Sequence, residues 1–141
     1  MSPEELVHRY LEAFNQRDLA AMQALYAEDA VTYDPSHPEP IKGWEAMADV
    51  IRGQWAAFSD ARWELLRPVV ASGGRAAYEV AMQMTHDGPL SMPDGSTLEA
   101  TGTKLSVEVG VFVTLDDDEL IAEERGYLDA TAVALQFGLV G

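Results

Sequence analysis

The hydrophobic positions change period once along the chain, dividing it into a helical first part and a sheet-forming remainder. Leu6, Val7, Tyr10, Leu11 and Phe14 recur at helical spacing behind Ser2, Pro3 and Glu5. Ser2 and Glu5 form a Ser-x-x-Glu capping box with proline at the first helical position, so a helix is predicted to run to Asn15. Asp18 is placed to cap a second, short helix with the apolar face Leu19, Met22, Leu25 and Tyr26. Ala30-Val-Thr-Tyr-Asp34 reads as a short strand halted by Pro35, Pro38 and Pro40. After Gly43, the residues Trp44, Met47, Ala48, Ile51, Trp55 and Phe58 fall on one stripe, which predicts a third, amphipathic helix.

From Ala61 the period is two. Trp63 to Ser72 is predicted as a strand, Gly73-Gly74 as a hairpin turn, and Arg75 to His86 as the returning strand with Tyr78, Val80, Met82, Met84 and His86 on one face. Asp87 to Thr97 is a turn-rich connection whose Leu90 and Met92 are expected to fold over a pocket mouth as a lid. Leu98 to Leu115 is a long strand with alternating valines, Asp116 to Asp118 a turn, and Glu119 to Leu128 the last strand. Asp129 to Leu139 is a short apolar helix or coil. This order predicts an α+β fold in one domain, residues 1–141. Three N-terminal helices pack on a strongly curved, mostly antiparallel sheet, and the space between the layers is a natural pocket.

Composition narrows the chemistry. The chain carries 24 acidic and 9 basic residues in 141, a formal charge of −15, which disfavours nucleic acid and anionic membranes as partners. There is no cysteine, so disulfides, thiol nucleophiles and cysteine metal sites are excluded. Three histidines without ligand spacing give no basis for a metal site. A Gly-x-Ser-x-Gly elbow, a phosphate loop and a dinucleotide fingerprint are all lacking, so no cofactor is expected. The start, Met-Ser-Pro-Glu-Glu, lacks the layout of a signal peptide, and a cytoplasmic location is the expectation.

Ala24-Leu-Tyr-Ala-Glu-Asp-Ala-Val-Thr-Tyr-Asp-Pro35, followed by Pro40 and Gly43-Trp-Glu-Ala-Met47, resembles the nuclear-transport-factor-like cone-fold superfamily, in its ketosteroid isomerase branch. Ile121-Ala-Glu-Glu-Arg-Gly-Tyr-Leu-Asp129 and Gln136-Phe-Gly138 are more similar to SnoaL-like polyketide cyclases and limonene epoxide hydrolase. The isomerase resemblance implies Asp34 as the proton-shuttling base and Tyr10 as the hydrogen-bond donor to a developing oxyanion. That family's second, protonated acid would fall near Val109 or Val111, which are apolar here. The hydrolase and aldol-cyclase resemblances imply Asp129, although the hydrolase's arginine and second aspartate fall near Val80 and Met82. The epoxide-opening cyclases imply a pair made by Asp34 and Glu64.

Each residue also has an ordinary structural role. Asp34 suits a turn before proline, Tyr10 a helix core, and Asp129 a helix cap. The alternation around Glu64 does not settle which way it faces, whereas Glu108 alternates with the valines and should face outward. Trp55, Phe58, Tyr78, Met82, Met84, His86, Val109 and Val111 are the expected lining for a flat hydrophobic guest such as a steroid, polyketide or terpene. The leading expectation is a cofactor-free, isomerase-like enzyme that moves protons on such a molecule with Asp34 and Tyr10. Epoxide hydrolysis, or epoxide-opening or aldol cyclisation, by Asp34 with Glu64 or Asp129 is the second. A non-catalytic small-ligand-binding module is the third, because a fold does not fix a function. In each case the outer sheet face is expected to form a homodimer.

Overall fold

The computed structural model describes residues 1–139. Helix α1 (Pro3–Asn15) starts where the capping box places it, with Ser2 Oγ accepting from the Glu5 N–H at 3.1 Å. It buries Leu6, Val7, Tyr10, Leu11 and Phe14. Helix α2 (Leu19–Gln23) is capped by Asp18. It ends before Leu25 and Tyr26, because Tyr26 opens strand β1 (Tyr26–Tyr33). Strand β2 (Ile41–Lys42) and helix α3 (Trp44–Ala57) complete the first part.

The segment predicted as one strand from Trp63 to Ser72 is two strands, β3 (Arg62–Leu65) and β4 (Val70–Ser72), both paired with β5 (Arg75–Thr85). Leu65 stands opposite Val80 and Val70 opposite Ala77, so the intervening residues, Pro68 among them, bulge out of the ladder. Gly73 and Gly74 both have positive φ, 57° and 76°, the backbone that a two-residue hairpin requires. Strand β8 (Lys104–Leu115) pairs along the whole of β5, and β9 (Ile121–Tyr127) follows. The closing segment is helix α4 (Ala130–Phe137). In the main sheet the order is β2-β1-β9-β8-β5-β3, antiparallel except for the parallel pair β1–β9. That long-range pairing makes β9 a central strand.

The Asp87–Thr97 connection is not a free lid. It contains a small hairpin, β6 (Leu90–Ser91) with β7 (Thr97–Leu98), and is fastened to the end of α3. The backbone N–H groups of Asp87 and Gly88 both donate to the Ala57 carbonyl, at 3.1 and 3.0 Å. Gly88 is required there, since a Cβ would come within 2.0 Å of the Ala56 carbonyl oxygen.

The core lies between α1 and α3 on one side and the inner sheet face on the other. Along β8 the inward residues are Leu105, Val107, Val109, Val111 and Val113, the row that the alternation predicts. The outer face exposes Phe112 and Tyr127, which pack edge-to-face with ring centroids 5.9 Å apart. Among the described residues no helix is long and apolar enough to cross a membrane.

Candidate functional site

Two irregularities in the central strands aim one acidic side chain into the core. In β9, Ile121 faces Leu115 and Glu123 faces Thr114, so Ala122 is an extra residue and the inward phase switches from odd to even numbers. In β1, Tyr26 aligns with Ile121 and Thr32 with Glu124, with the strand bulging between them. Tyr26, Thr32 and Glu124 therefore point the same way, and Glu124 retains only 5% of its accessible surface. Its Oε1 accepts from the Tyr26 hydroxyl at 3.0 Å and from Thr32 Oγ1 at 3.4 Å.

Three tyrosines surround this carboxyl group from three different elements. Tyr26 comes from β1, Tyr10 from α1, with its ring 6.0 Å from that of Tyr26 in an edge-to-face contact, and Tyr78 from β5. Tyr78 stands opposite Val111, one row along the sheet from the Ala76, Val113 and Glu124 row. Burial pushes the Glu124 carboxyl up to about 7; the neighbouring Asp34 charge pushes the same way, while the bonds from Tyr26 and Thr32 pull it down. All three phenols are raised above their ordinary value, first by burial and next by the charge of Glu124. An acid balanced near neutrality can give or take a proton at little cost.

Asp34 sits just past the end of β1, with 29% of its side chain in solvent. Its Oδ1 accepts from the Ser36 N–H at 2.8 Å and from Ser36 Oγ at 2.5 Å, an Asx turn before the proline-rich loop. Its charge reaches both Glu124 and Tyr10. Asp34 thus rims the site, and the acid enclosed in apolar surroundings is Glu124.

Other expected residues lie elsewhere. Glu64 is exposed: it stands opposite Ala81, which faces Glu108 across β8, while its neighbours Trp63 and Leu65 turn inward. Asp129 is exposed and caps α4, accepting from the Ala132 N–H at 3.1 Å. Neither side chain is enclosed as Glu124 is. Tyr78, Val109 and Val111 are near Glu124, but Met82, Met84 and His86 continue along β5. Eight residues of strand from Tyr78 to His86 span roughly 26 Å, too far for one compact lining. Phe58 stacks on His86 with ring centroids 5.5 Å apart, and Trp55 packs on Phe14 at 5.5 Å.

The open pocket expected between the layers is closed. Residues that should line it, Tyr10, Tyr78, Val109 and Val111, each expose 9% or less, which surfaces around an open chamber would not do. A surface cleft of about 390 Å³ lies nearby, bordered by Gln23, Tyr26, Glu28, Lys42, Trp44 and Glu45.

Glu124 was missed from the sequence. Its signal is the doublet Glu123-Glu124 before Arg125: successive side chains of a strand alternate between faces, so where one face lies on the core one of the two carboxylates must turn inward. Strict alternation from Ile121 selects Glu123, and only the bulge corrects the choice.

Among curated proteins nothing matches the sequence. Solved structures do. AclR from Streptomyces galilaeus, described as a candidate hydroxylase, superposes with a TM-score of 0.79 at 20% identity, over 97% of this chain and 96% of its own. A candidate SnoaL-like polyketide cyclase from Jannaschia gives 0.81 at 15% identity, over 100% and 98%. IdmH from Streptomyces antibioticus, a candidate polyketide cyclase, gives 0.79 at 23% identity, over 98% and 99%. These likenesses establish the cone fold. The SnoaL-like domain family matches residues 7–124, which takes in most of α1, the core of the sheet and Glu124 itself, and the chain belongs to that family.

Proposed function

We propose that the protein is a small-molecule enzyme of the cyclase type, working by proton transfer between a substrate and the carboxyl pair Asp34 and Glu124. The observation that carries this reading is the buried Glu124 carboxyl, held by Tyr26 and Thr32 and balanced near neutral pH beside a second, solvent-linked acid. The SnoaL-like family and the cyclase-like neighbours support the substrate class, a neutral, carbonyl-bearing ring precursor. Repulsion by the chain's net charge of −15 disfavours polyanions.

In an aldol-type closure, Asp34 takes the proton from a carbon next to one carbonyl, leaving an enolate. The enolate carbon attacks a second carbonyl of the same molecule, and the alkoxide that forms takes a proton from protonated Glu124. Asp34 then returns its proton to Glu124 through solvent, so the reaction balances without an added reagent. Tyr10, kept neutral by its raised ionisation, serves as hydrogen-bond donor to the developing oxyanion.

The pairing of two carboxyl groups also favours a second reading, epoxide opening. There protonated Glu124 donates to the epoxide oxygen while Asp34 activates the attacking hydroxyl or water. Both readings are tested by incubating the protein in D₂O with a panel of cyclic and β-diketones and of epoxides, followed by NMR. Deuterium uptake next to a carbonyl that disappears in Asp34→Asn supports the aldol reading. Opened epoxide without such uptake supports the second. Neither reaction, or both unchanged in Asp34→Asn and Glu124→Gln, rejects the carboxyl pair.

A further inference from the structure

A closed interior needs a part that moves, and α4 is a lightly held helix at the edge of the fold. Its sequence, Ala-Thr-Ala-Val-Ala-Leu-Gln-Phe, is almost wholly apolar, yet none of its residues is buried, and Leu135 keeps 53% of its surface exposed. Where a helix buries its apolar face fully, that burial fixes it; here only Val133 and Phe137 rest partly buried against the core, so other contacts must share the work.

Two such contacts stand out. β9 pairs with β8 only from Gly110 onward, which leaves the backbone of β8 near Ser106 without a strand on that side. Gln136 fills the gap: the Ser106 N–H donates to Gln136 Oε1 at 2.9 Å, and Gln136 Nε2 donates to the Ser106 carbonyl at 3.1 Å. One side-chain amide thus imitates a strand residue. Next to it, Phe137 meets the His86 ring edge-on, with centroids 5.3 Å apart.

His86 is fully enclosed, between Phe58 and Phe137. Its Nδ1 pairs with Thr101 Oγ1 at 2.9 Å, but its Nε2 finds no hydrogen-bond partner among the described residues. A buried polar atom without a partner is costly, and such atoms are uncommon in native folds. From these features we infer that α4 is a hinged door to the interior and that His86 Nε2 is a binding contact for a polar group, such as a carbonyl or hydroxyl oxygen, on the guest that passes beneath it. Opening releases the Gln136 clasp, lifts Phe137 from His86 and uncovers the apolar row Leu105, Val107 and Val109 that leads toward Asp34 and Glu124. The inference deepens the enzymatic reading by adding a route and a distal polar contact, but its test requires no turnover.

The chain holds three histidines, and His8 and His37 are exposed, so they serve as internal references. In the intact protein, diethylpyrocarbonate should modify His86 far more slowly than either. Gln136→Ala and Phe137→Ala should each raise the His86 rate by roughly tenfold, the population change that loss of ordinary hydrogen bonds or one aromatic contact produces. They should also speed the association of Nile red, a neutral apolar probe. Hydrogen exchange of β5 and β8 must stay as slow as in the parent, which separates opening from unfolding. His86→Phe, which keeps the ring packing, should leave Nile red association unchanged but abolish the protection that a ketone from the panel gives to α4 in exchange. An unchanged His86 rate, unchanged Nile red association, loosened β5 and β8, or full ketone protection in His86→Phe would each overturn the inference. Failure of the carboxyl pair would leave all of these readouts untouched.

Discussion

Thr32 of β1 and Glu124 of β9 stand at the same register position of the parallel pair, and the threonine hydroxyl lies 3.4 Å from the carboxylate it helps to hold. Tyr26, six residues earlier on a bulged strand, reaches the same oxygen at 3.0 Å. The donors come from β1 and the acid from β9, so the site exists only once the most distant strands in sequence have paired. That arrangement places the proton-holding group at the junction of the two ends of the fold.

Tyr26→Phe and Asp34→Asn should move the Glu124 titration in opposite directions. The Tyr26 bond favours the carboxylate, so its loss raises the midpoint above about 7; the Asp34 charge disfavours the carboxylate, so its loss lowers it. Carbon-13 NMR of the side-chain carboxyl groups across the neutral range reads both shifts. Two shifts of the same sign would mean that these neighbours do not act on Glu124 as the geometry requires.

The same acid should make the fold less stable as pH rises. Its folded value of about 7 lies above the ordinary glutamate value of 4.5, so the native state binds the extra proton and its contribution is fully present below the lower value. It is lost progressively as pH rises through the upper one. At about 1.36 kcal/mol per pH unit, the gap corresponds to about 3 kcal/mol between acid and alkaline limits. Urea unfolding at a series of pH values should show this decline in the parent and lose it in Glu124→Gln. Surface carboxylates held low by hydrogen bonds, such as Asp87 and Asp94, act at lower pH and with the opposite sign, and they are common to both proteins.

Local signals carried most of the architecture. Ser2, Asp18 and Gly43 mark real helix starts, Gly73-Gly74 is a real hairpin, and the valine alternation of β8 names its inner face correctly. Non-local events were hidden. Tyr26 reads as the end of a helical stripe because nothing nearby shows that its backbone pairs with Ile121. Glu124 is invisible for the same reason: its burial depends on a bulge at Ala122 and on β9 lying between β1 and β8. The resemblance alone named Asp34 and Tyr10, and the fold sets both close to Glu124, whereas Glu64 and Asp129 took the ordinary exposed roles that their local patterns also allow.

Those two exposed acids supply a control on the chemistry. Asp129→Ala removes the N-cap of α4 and should cost about 1 kcal/mol of helix stability, and Glu64→Gln on the outer face should change stability by less than about 0.5 kcal/mol. Neither should abolish deuterium uptake by a responsive ketone, whereas Glu124→Gln should lower closure of a diketone by about 10²–10⁴-fold. Loss of uptake in Glu64→Gln would reassign the second acid.

Gly88 offers a test of how the Asp87–Thr97 connection is held. A methyl group there would meet the Ala56 carbonyl oxygen at 2.0 Å, and a backbone oxygen at the end of α3 cannot step aside as a flexible side chain can. Gly88→Ala must therefore push the connection off α3 and break the two N–H bonds that Asp87 and Gly88 make to Ala57. The expected cost is about 1–3 kcal/mol, the range for overpacking a tight site. Gly95, at the tip of the same connection, has open space around its Cβ position but a φ of 87°, so Gly95→Ala should cost through backbone strain alone and leave the α3 contact intact. Amide exchange separates the two: faster exchange at Asp87 and Gly88 or its replacement is expected in the first variant and not in the second. Equal protection in both would show that the connection is not fixed by its approach to Ala56 and Ala57.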